Sequence, residues 1–112
     1  MKIKSSLLTQ KDISILGQAF ETLVFPNDFD LIYENHVPPT GVVLLEGKIE
    51  LLKKSKTKME LTTPQMLGLD ELLLGNQFPY GLRVKANTRV ILIGKSEVSN
   101  LFHHINEGTP SL

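Results

Sequence analysis

Apolar and polar residues follow two different rhythms along the chain. Near the amino terminus the apolar residues recur at spacings of three and four, namely Ile13, Leu16, Phe20, Leu23 and Val24. This spacing predicts an amphipathic helix over about residues 10–23. Thr9 and Asp12 have the spacing of a capping box, which places the helix start beside them. Phe25-Pro26 then predicts its end, because the residue before proline avoids helical geometry.

After this helix the rhythm changes to short strand-like runs separated by turn residues. The clearest strand-like segments are residues 42–45, 49–52, 82–86, which alternate between apolar and charged residues, and 90–93. Gly47 lies between the first two, and a glycine inside a strand pattern indicates a bulge or a close approach of two backbones. Many short strands with a helix at each end predict a mainly β fold, a small antiparallel barrel or double sheet over about residues 29–94 with flanking α-helices.

The ends of the pattern set the rest of the organisation. Residues 53–58 are polar and lysine-rich, which predicts the tip of a hairpin. Apolar residues at helical spacing after Ser96, a candidate N-cap, predict a terminal helix over about residues 96–106. A chain of 112 residues suits one core, so we expect a single domain over residues 1–112.

Composition narrows the classes of function. Twelve basic residues balance 12 acidic residues, and there is no cysteine. Disulfides, thiolate catalysis and cysteine-based metal sites are therefore excluded. Neutral charge argues against a general nucleic-acid binder. No apolar run is long enough for a signal peptide or a membrane-spanning helix, so we expect a cytoplasmic protein without membrane contact.

The order of these motifs resembles the cyclic-nucleotide-binding domain family, whose members have a jelly-roll β-barrel (double-stranded β-helix) with flanking helices. The resemblance covers about residues 11–102. It is strongest at residues 41–51, where the family has a strand pair bounded by glycines. It resumes at residues 67–75, followed by residues 84–88. In the family this second stretch is the phosphate-binding cassette, a short helix between strands that holds the ligand.

The resemblance also implies which residues would touch a ligand. The family uses an acidic residue near the cassette start for the ribose 2′-hydroxyl, and this position is Asp70 or Glu71. It uses an arginine four residues before the strand valine, here Val84, for the cyclic phosphate, and this position is Tyr80. Tyrosine cannot supply the charged two-pronged contact of arginine. The candidate ligand-binding residues of this degenerate cassette are Gly68, Leu69, Asp70, Glu71, Leu72, Tyr80, Gly81 and Leu82.

Two questions about this cassette stay open in the sequence. Asp70 and Glu71 are either ligand-binding groups or an exposed acidic pair in the first turn of a short helix. Phe78 and Tyr80 either line a pocket or fill it. Arg83 does not substitute for the missing arginine, because strand alternation places it on the face opposite Tyr80.

Other candidate sites give weaker signals. Gly94-Lys95-Ser96 lacks the earlier glycine of a P-loop, since position 89 is arginine. His103 and His104 are adjacent on a predicted helix, and only His36 lies elsewhere, so we expect no metal site. The lysines of residues 53–58 have no aromatic residues between them for base stacking, which favours a solvated hairpin tip. We expect no cofactor and no catalysis.

The sequence therefore leaves three functional hypotheses. The first is a regulatory or scaffold domain that has lost ordinary affinity for cyclic AMP and cyclic GMP and acts through a protein partner or a homodimer. The second is a genuine sensor of a cyclic nucleotide or another small anionic ligand, which uses Asp70 or Glu71 with cassette backbone amides. The third is a small cupin-type enzyme, which lacks evident metal ligands.

Overall fold

The computed structural model describes residues 5–97, with side chains from residue 8 onward. Nine strands and two helices lie within it. In chain order they are β1 (Ser5–Leu7), α1 (Gln10–Ala19), β2 (Leu23–Phe25), β3 (Phe29–Ile32), β4 (Gly41–Glu46), β5 (Ile49–Lys53), β6 (Lys56–Leu61), β7 (Gln65–Leu67), α2 (Leu69–Leu74), β8 (Gly81–Val84) and β9 (Thr88–Ile93). The fold is mostly β, as predicted.

Helix α1 begins at the predicted residue and ends earlier than predicted. The capping box is present, because the Thr9 hydroxyl accepts from the Asp12 backbone N–H and the Asp12 carboxylate accepts from the Thr9 N–H. The helix ends at Ala19, whereas the sequence predicted an end at about residue 23. Residues 23–25 instead form β2, because pairing with β9 outweighs a helical spacing that continues by coincidence.

The strands form two antiparallel sheets. The five-stranded sheet has the order β1-β7-β4-β9-β2, and the four-stranded sheet has the order β3-β8-β5-β6. Each sheet ends in edge strands and no hydrogen-bonded ladder joins the two sheets among the described strands, so of the two predicted forms the double sheet is the one observed. This double-sheet arrangement is the form that jelly rolls take.

Strand β4 contributes side chains to two hydrophobic cores, one on each face of the five-stranded sheet. Val42 and Leu44 point between the two sheets, into the main core. Val43 points to the opposite face, where it packs with Leu16 of α1 and with Ile91 of β9. Because helices cover this outer face, four successive β4 residues are buried instead of every second one.

The turn between β4 and β5 explains the glycine inside the strand pattern. Gly47 has a φ of 110°, in the left-handed region that favours glycine. A Cβ atom there would lie 2.6 Å from Thr88 Oγ1, so a side chain does not fit. The buried Thr88 hydroxyl accepts from the Lys48 N–H and donates to the Lys48 carbonyl, each at 3.1 Å. The predicted close approach of two backbones is confirmed.

The lysine-rich segment differs from the predicted tip. Only Lys54 and Ser55 form the turn between β5 and β6, and Lys56 already belongs to β6. Both turn residues have positive φ, 53° and 65°, as a two-residue hairpin turn of the primed type requires. The lysines of residues 56–58 therefore stand on a strand at fixed positions.

The carboxyl end of the described chain enters a helical turn at residues 95–97. Ser96 lies inside this turn and does not cap it. The Gly94 N–H, just before the turn, donates a hydrogen bond to Glu97 Oε1 at 2.9 Å. The rest of the predicted terminal helix, residues 98–106, lies outside the described residues. Within the described part of the chain, neither helix is long and apolar enough to cross a membrane.

Candidate functional site

The cassette segment lies between β7 and β8 and is held by two glycines. Gly68 precedes α2 with a φ of 76°, and Gly75 follows it with a φ of 70°. Gly68 is buried, and a Cβ atom there would lie 3.3 Å from Ile32 Cδ1. The side chains of Leu69 and Leu73 pack α2 onto the outer face of the five-stranded sheet. The short helix thus has a fixed position relative to the core.

The two adjacent carboxylates of α2 have different environments. Asp70 is exposed, whereas Glu71 is partly buried. Glu71 Oε1 is fully buried and has no hydrogen-bond partner among the described residues. A buried carboxylate oxygen without a donor is destabilising by about 1–3 kcal/mol or more, so such an atom calls for an explanation. Of the two acidic candidates, Glu71 is the one directed into the protein.

Phe78 and Tyr80 are part of the main core between the sheets. Phe78 is fully buried and Tyr80 is 6% exposed. The Phe78 N–H donates to the His36 carbonyl at 2.9 Å, and the Phe78 carbonyl accepts from the Asn35 N–H at 2.8 Å. These bonds fix the segment that follows α2. Both side chains therefore pack in the core between the two sheets.

One cation approaches Tyr80 from the end of β5, where the sequence predicted the start of a solvated hairpin tip. Lys53 Nζ lies 5.3 Å from the centre of the Tyr80 ring. It also donates to the Pro79 carbonyl at 3.3 Å. Alternation along β5 contained the signal, because Lys53 has the same parity as the buried residues Ile49 and Leu51.

Gly81 and Leu82 begin β8 and face opposite sides of the four-stranded sheet. Leu82 belongs to the main core. Gly81 lies on the outer face with Arg83, as alternation predicted, and Arg83 Nε donates to Asp30 Oδ1 at 2.7 Å. This hydrogen bond raises the pKa of Arg83. A cavity of about 210 Å³ opens beside this pair, lined by Asp30, Ile32, Tyr33, Glu34, Leu52, Ser55, Gly81 and Arg83.

Further ion pairs continue along the same outer face. Lys85 Nζ lies 2.7 Å from Asp28 Oδ2 and 3.5 Å from Glu50 Oε1, and Lys48 Nζ lies 3.5 Å from Glu60 Oε2. The hydrogen bond from the Lys85 ammonium, helped by the Ala86 N–H, lowers the pKa of Asp28. The same pair raises the pKa of Lys85.

The hairpin of β5 and β6 carries a second cavity, of about 320 Å³. Four lysines line it: Lys53, Lys54, Lys56 and Lys58. We call this the lysine cavity. Lys53 and Lys56 are direct partners across the two strands. The sequence predicted a solvated tip for this segment. Composition alone did not indicate the two-residue turn that brings the lysines together.

The histidines and carboxylates do not gather into a metal site within the described residues. Among these residues, no three His, Asp or Glu side chains lie close enough together to hold a metal ion. His36 is exposed, and its Nδ1 bonds with the Glu34 carbonyl at 2.9 Å. His103 and His104 lie outside the described residues.

Comparison with known proteins establishes the fold. No family model matches the chain, and no curated protein matches it. A solved structure from a cyclic-GMP-dependent signalling pathway of bacterial phytopathogenesis is similar, with a TM-score of 0.70, 14% identity and 92% coverage of both chains. A cyclic nucleotide-binding-like protein from Brucella abortus has a TM-score of 0.64 and 20% identity, with 86% coverage of both chains.

A third similar structure is the catabolite activator protein of Thermus thermophilus, with a TM-score of 0.67 and 13% identity. The match covers 88% of this chain and 49% of that protein, so this chain spans about half of its length. The chain therefore has the fold of a cyclic-nucleotide-binding-like domain, and the resemblance inferred from its motifs is confirmed at the level of the fold.

Proposed function

We propose that this chain is a regulatory domain with a cyclic-nucleotide-binding-like fold that does not bind cyclic AMP or cyclic GMP in the manner of the family. One observation carries the proposal: Tyr80, at the position that the resemblance assigns to the phosphate-binding arginine, is 6% exposed and packed in the main core. Phe78 is buried beside it. Aromatic side chains occupy the space that a ligand would need.

The energetics of the replacement point the same way. A tyrosine hydroxyl offers one neutral hydrogen bond, whereas a charge-assisted contact contributes about 1.5–3 kcal/mol, or roughly ten- to a hundredfold in affinity. A ligand would also have to displace Phe78, and removing a buried phenylalanine from a core costs about 3–5 kcal/mol. Together the two effects amount to about 4.5–8 kcal/mol, which is enough to take a micromolar affinity to the millimolar range or weaker.

The regulatory part of the proposal rests on the fold. The similar structures include a catabolite activator protein and a transcriptional regulator of Thermotoga maritima. In this chain the signal would pass through contacts with a partner protein or with a second copy. We propose no catalytic activity, and the cupin-type alternative has no group of three metal-ligating side chains to support it in the described residues.

Isothermal titration of the full chain with cyclic AMP and cyclic GMP tests the proposal. We expect no binding heat up to about 1 mM of either nucleotide, which corresponds to less than about 4 kcal/mol of binding free energy. Tyr80→Phe keeps the packing and removes the hydroxyl, so it should behave like the unaltered chain. Micromolar binding of either nucleotide would overturn the proposal.

One observation favours the second hypothesis, a sensor that retains the acidic contact. Glu71 Oε1 is buried and lacks a donor among the described residues, and a ligand hydroxyl would supply one. If cyclic AMP binds after all, Glu71→Ala should weaken that binding by about tenfold or more. Asp70→Ala is the matched control, because Asp70 is exposed one residue away, and it should change the affinity by less than about twofold.

A further inference from the structure

We propose that the lysine cavity binds a small oligophosphate, a chain of two or three linked phosphate groups. The four lining residues lie on the hairpin of β5 and β6, and one of them, Lys53, contacts Pro79 and Tyr80 next to the cassette. Four lysines within six residues line one concavity of about 320 Å³. A volume of this size is at the lower end of the range for small-molecule sites.

The backbone holds these lysines together against their repulsion. Lys53 and Lys56 face each other directly across the hairpin, and like charges at such a position are destabilising. Lys54 occupies a left-handed turn position that usually takes asparagine or glycine. A bond from the Lys54 N–H to Glu34 Oε1, at 2.7 Å, holds the turn. A fold that places unfavourable charges and unfavourable turn residues together is stabilised when an anion binds.

The rest of the four-stranded sheet shows how cations are neutralised elsewhere in this protein. On its outer face Lys48, Arg83 and Lys85 each have a carboxylate within 3.5 Å. Among residues 8–97, no carboxylate forms an ion pair with the side chain of a lysine of the lysine cavity, and the only polar contact of these side chains is that of Lys53 with the Pro79 carbonyl. The unneutralised positive charge of the described sheet is therefore concentrated in one concavity.

The shape of this site selects a small anion over a polymer. A nucleic acid or an anionic membrane needs an extended basic surface, and the neighbouring outer face consists of alternating ion pairs. No aromatic residue stands between the lysines for base stacking. A linked phosphate chain brings several negative charges into a small volume, and lysine ammonium groups bind phosphates as point charges.

Lys53 gives this site an optical signal. Its ammonium lies over the Tyr80 ring, and an anion in the lysine cavity would draw it away. The chain has two tyrosines and no tryptophan. Because Tyr33 is exposed, Tyr33→Phe leaves Tyr80 as the single emitter without touching the core.

Titration of the full chain with inorganic tripolyphosphate tests the site, by calorimetry and by Tyr80 fluorescence in the Tyr33→Phe background. We expect saturable one-to-one binding at micromolar concentrations, and orthophosphate should bind at least about tenfold more weakly because it reaches fewer lysines. The double variant Lys56→Gln/Lys58→Gln should lose about tenfold in affinity or more. Adenosine triphosphate should compete if the source is a nucleotide, and should not if only the bare phosphate chain fits.

The control is Lys48→Gln, which removes one positive charge next to the same sheet and outside the lysine cavity. It should change the affinity by less than about twofold. No binding at about 1 mM tripolyphosphate, or equal losses in the control and the double variant, would overturn the proposal. So would equal affinity for orthophosphate, which means an adventitious ion only, and so would binding to anionic vesicles or DNA without binding to tripolyphosphate.

Discussion

The two sheets of this domain use the same alternating pattern for different purposes. Both contribute their inner faces to one core, but helices α1 and α2 cover the outer face of the five-stranded sheet. The outer face of the four-stranded sheet is open and carries ion pairs and the cavity beside Asp30 and Arg83, while the lysine cavity lies at the hairpin end of the same sheet. The two sheets therefore differ in their outer faces: that of the five-stranded sheet is buried beneath helices, and that of the four-stranded sheet is exposed and available for binding.

Burial along individual strands makes the difference concrete. Strand β9 has buried residues on both faces, because Val90 joins the main core and Ile91 joins the core under the helices. Strand β8 buries Leu82 and Val84 and leaves Arg83 partly exposed between them. We therefore expect the outer faces of β9 and β8 to respond very differently to truncation.

The largest predicted effect is on the covered face. Ile91→Ala should lower the free energy of unfolding by about 2–5 kcal/mol, because it removes a fully buried side chain beneath the helices and leaves a cavity. Arg83→Ala, on the corresponding face of β8, should cost less than about 1 kcal/mol, because a solvated ion pair contributes little. Urea denaturation of both variants gives the two values.

Similar losses in Ile91→Ala and Arg83→Ala would contradict the distinction between the sheets. A destabilisation of Arg83→Ala above about 2 kcal/mol would mean that its ion pair with Asp30 is part of a cooperative network and not a surface contact.

Local rules predicted the local features of this fold. The capping box of Thr9 and Asp12 needs only residues three apart, and it is present. Gly47 was predicted to mark a bulge or a close approach of two backbones, and Thr88 Oγ1 excludes a Cβ atom there. The helix end was wrong because Leu23 continues the helical spacing, while its actual partner, Val90, lies far along the chain.

Long-range chemistry was not readable from one sequence. The Asp28–Lys85 pair joins residues 57 positions apart, and only the sheet register brings them together. The cassette segment was assigned from its resemblance to the family, and the sequence left open whether Phe78 lines a pocket or fills it. The burial of Phe78 depends on residues from both sheets that pack around it, and no local sequence pattern predicts such packing. The roles proposed for Tyr80 and Glu71 stay predictions.

A smaller effect is expected in acid, from the pair on the open face. The Lys85 hydrogen bond lowers the pKa of Asp28 in the folded state, so unfolding promotes protonation once the pH approaches 3.8, the ordinary value. The stabilisation from Asp28 is thus complete above that pH and lost as the pH falls through the lower folded pKa. Asp28→Asn should lower the Tm near neutral pH, and the difference should shrink as the pH falls below 3.8, as thermal melts at a series of pH values would show.

Lys85→Met is the reciprocal control for this pair. It removes the partner that lowers the pKa of Asp28, so it should also reduce the Tm near neutral pH and converge with the unaltered chain in acid. A Tm difference for Asp28→Asn that stays constant from neutral to acidic pH would show that the loss comes from packing or from the Ala86 N–H contact instead.

The smallest effect separates the two kinds of cation on the four-stranded sheet. Lys56→Gln removes the repulsion between Lys56 and Lys53. It should therefore raise the free energy of unfolding at low salt, by about 0.2–1 kcal/mol. Lys48→Gln breaks a pair with Glu60 and should lower it by a similar amount. Both differences should shrink at about 1 M salt, because screening acts on exposed charges. Opposite signs at low salt, measured by urea denaturation, distinguish an unneutralised charge cluster from a paired surface; equal signs would mean that the lysines of the hairpin do not repel one another.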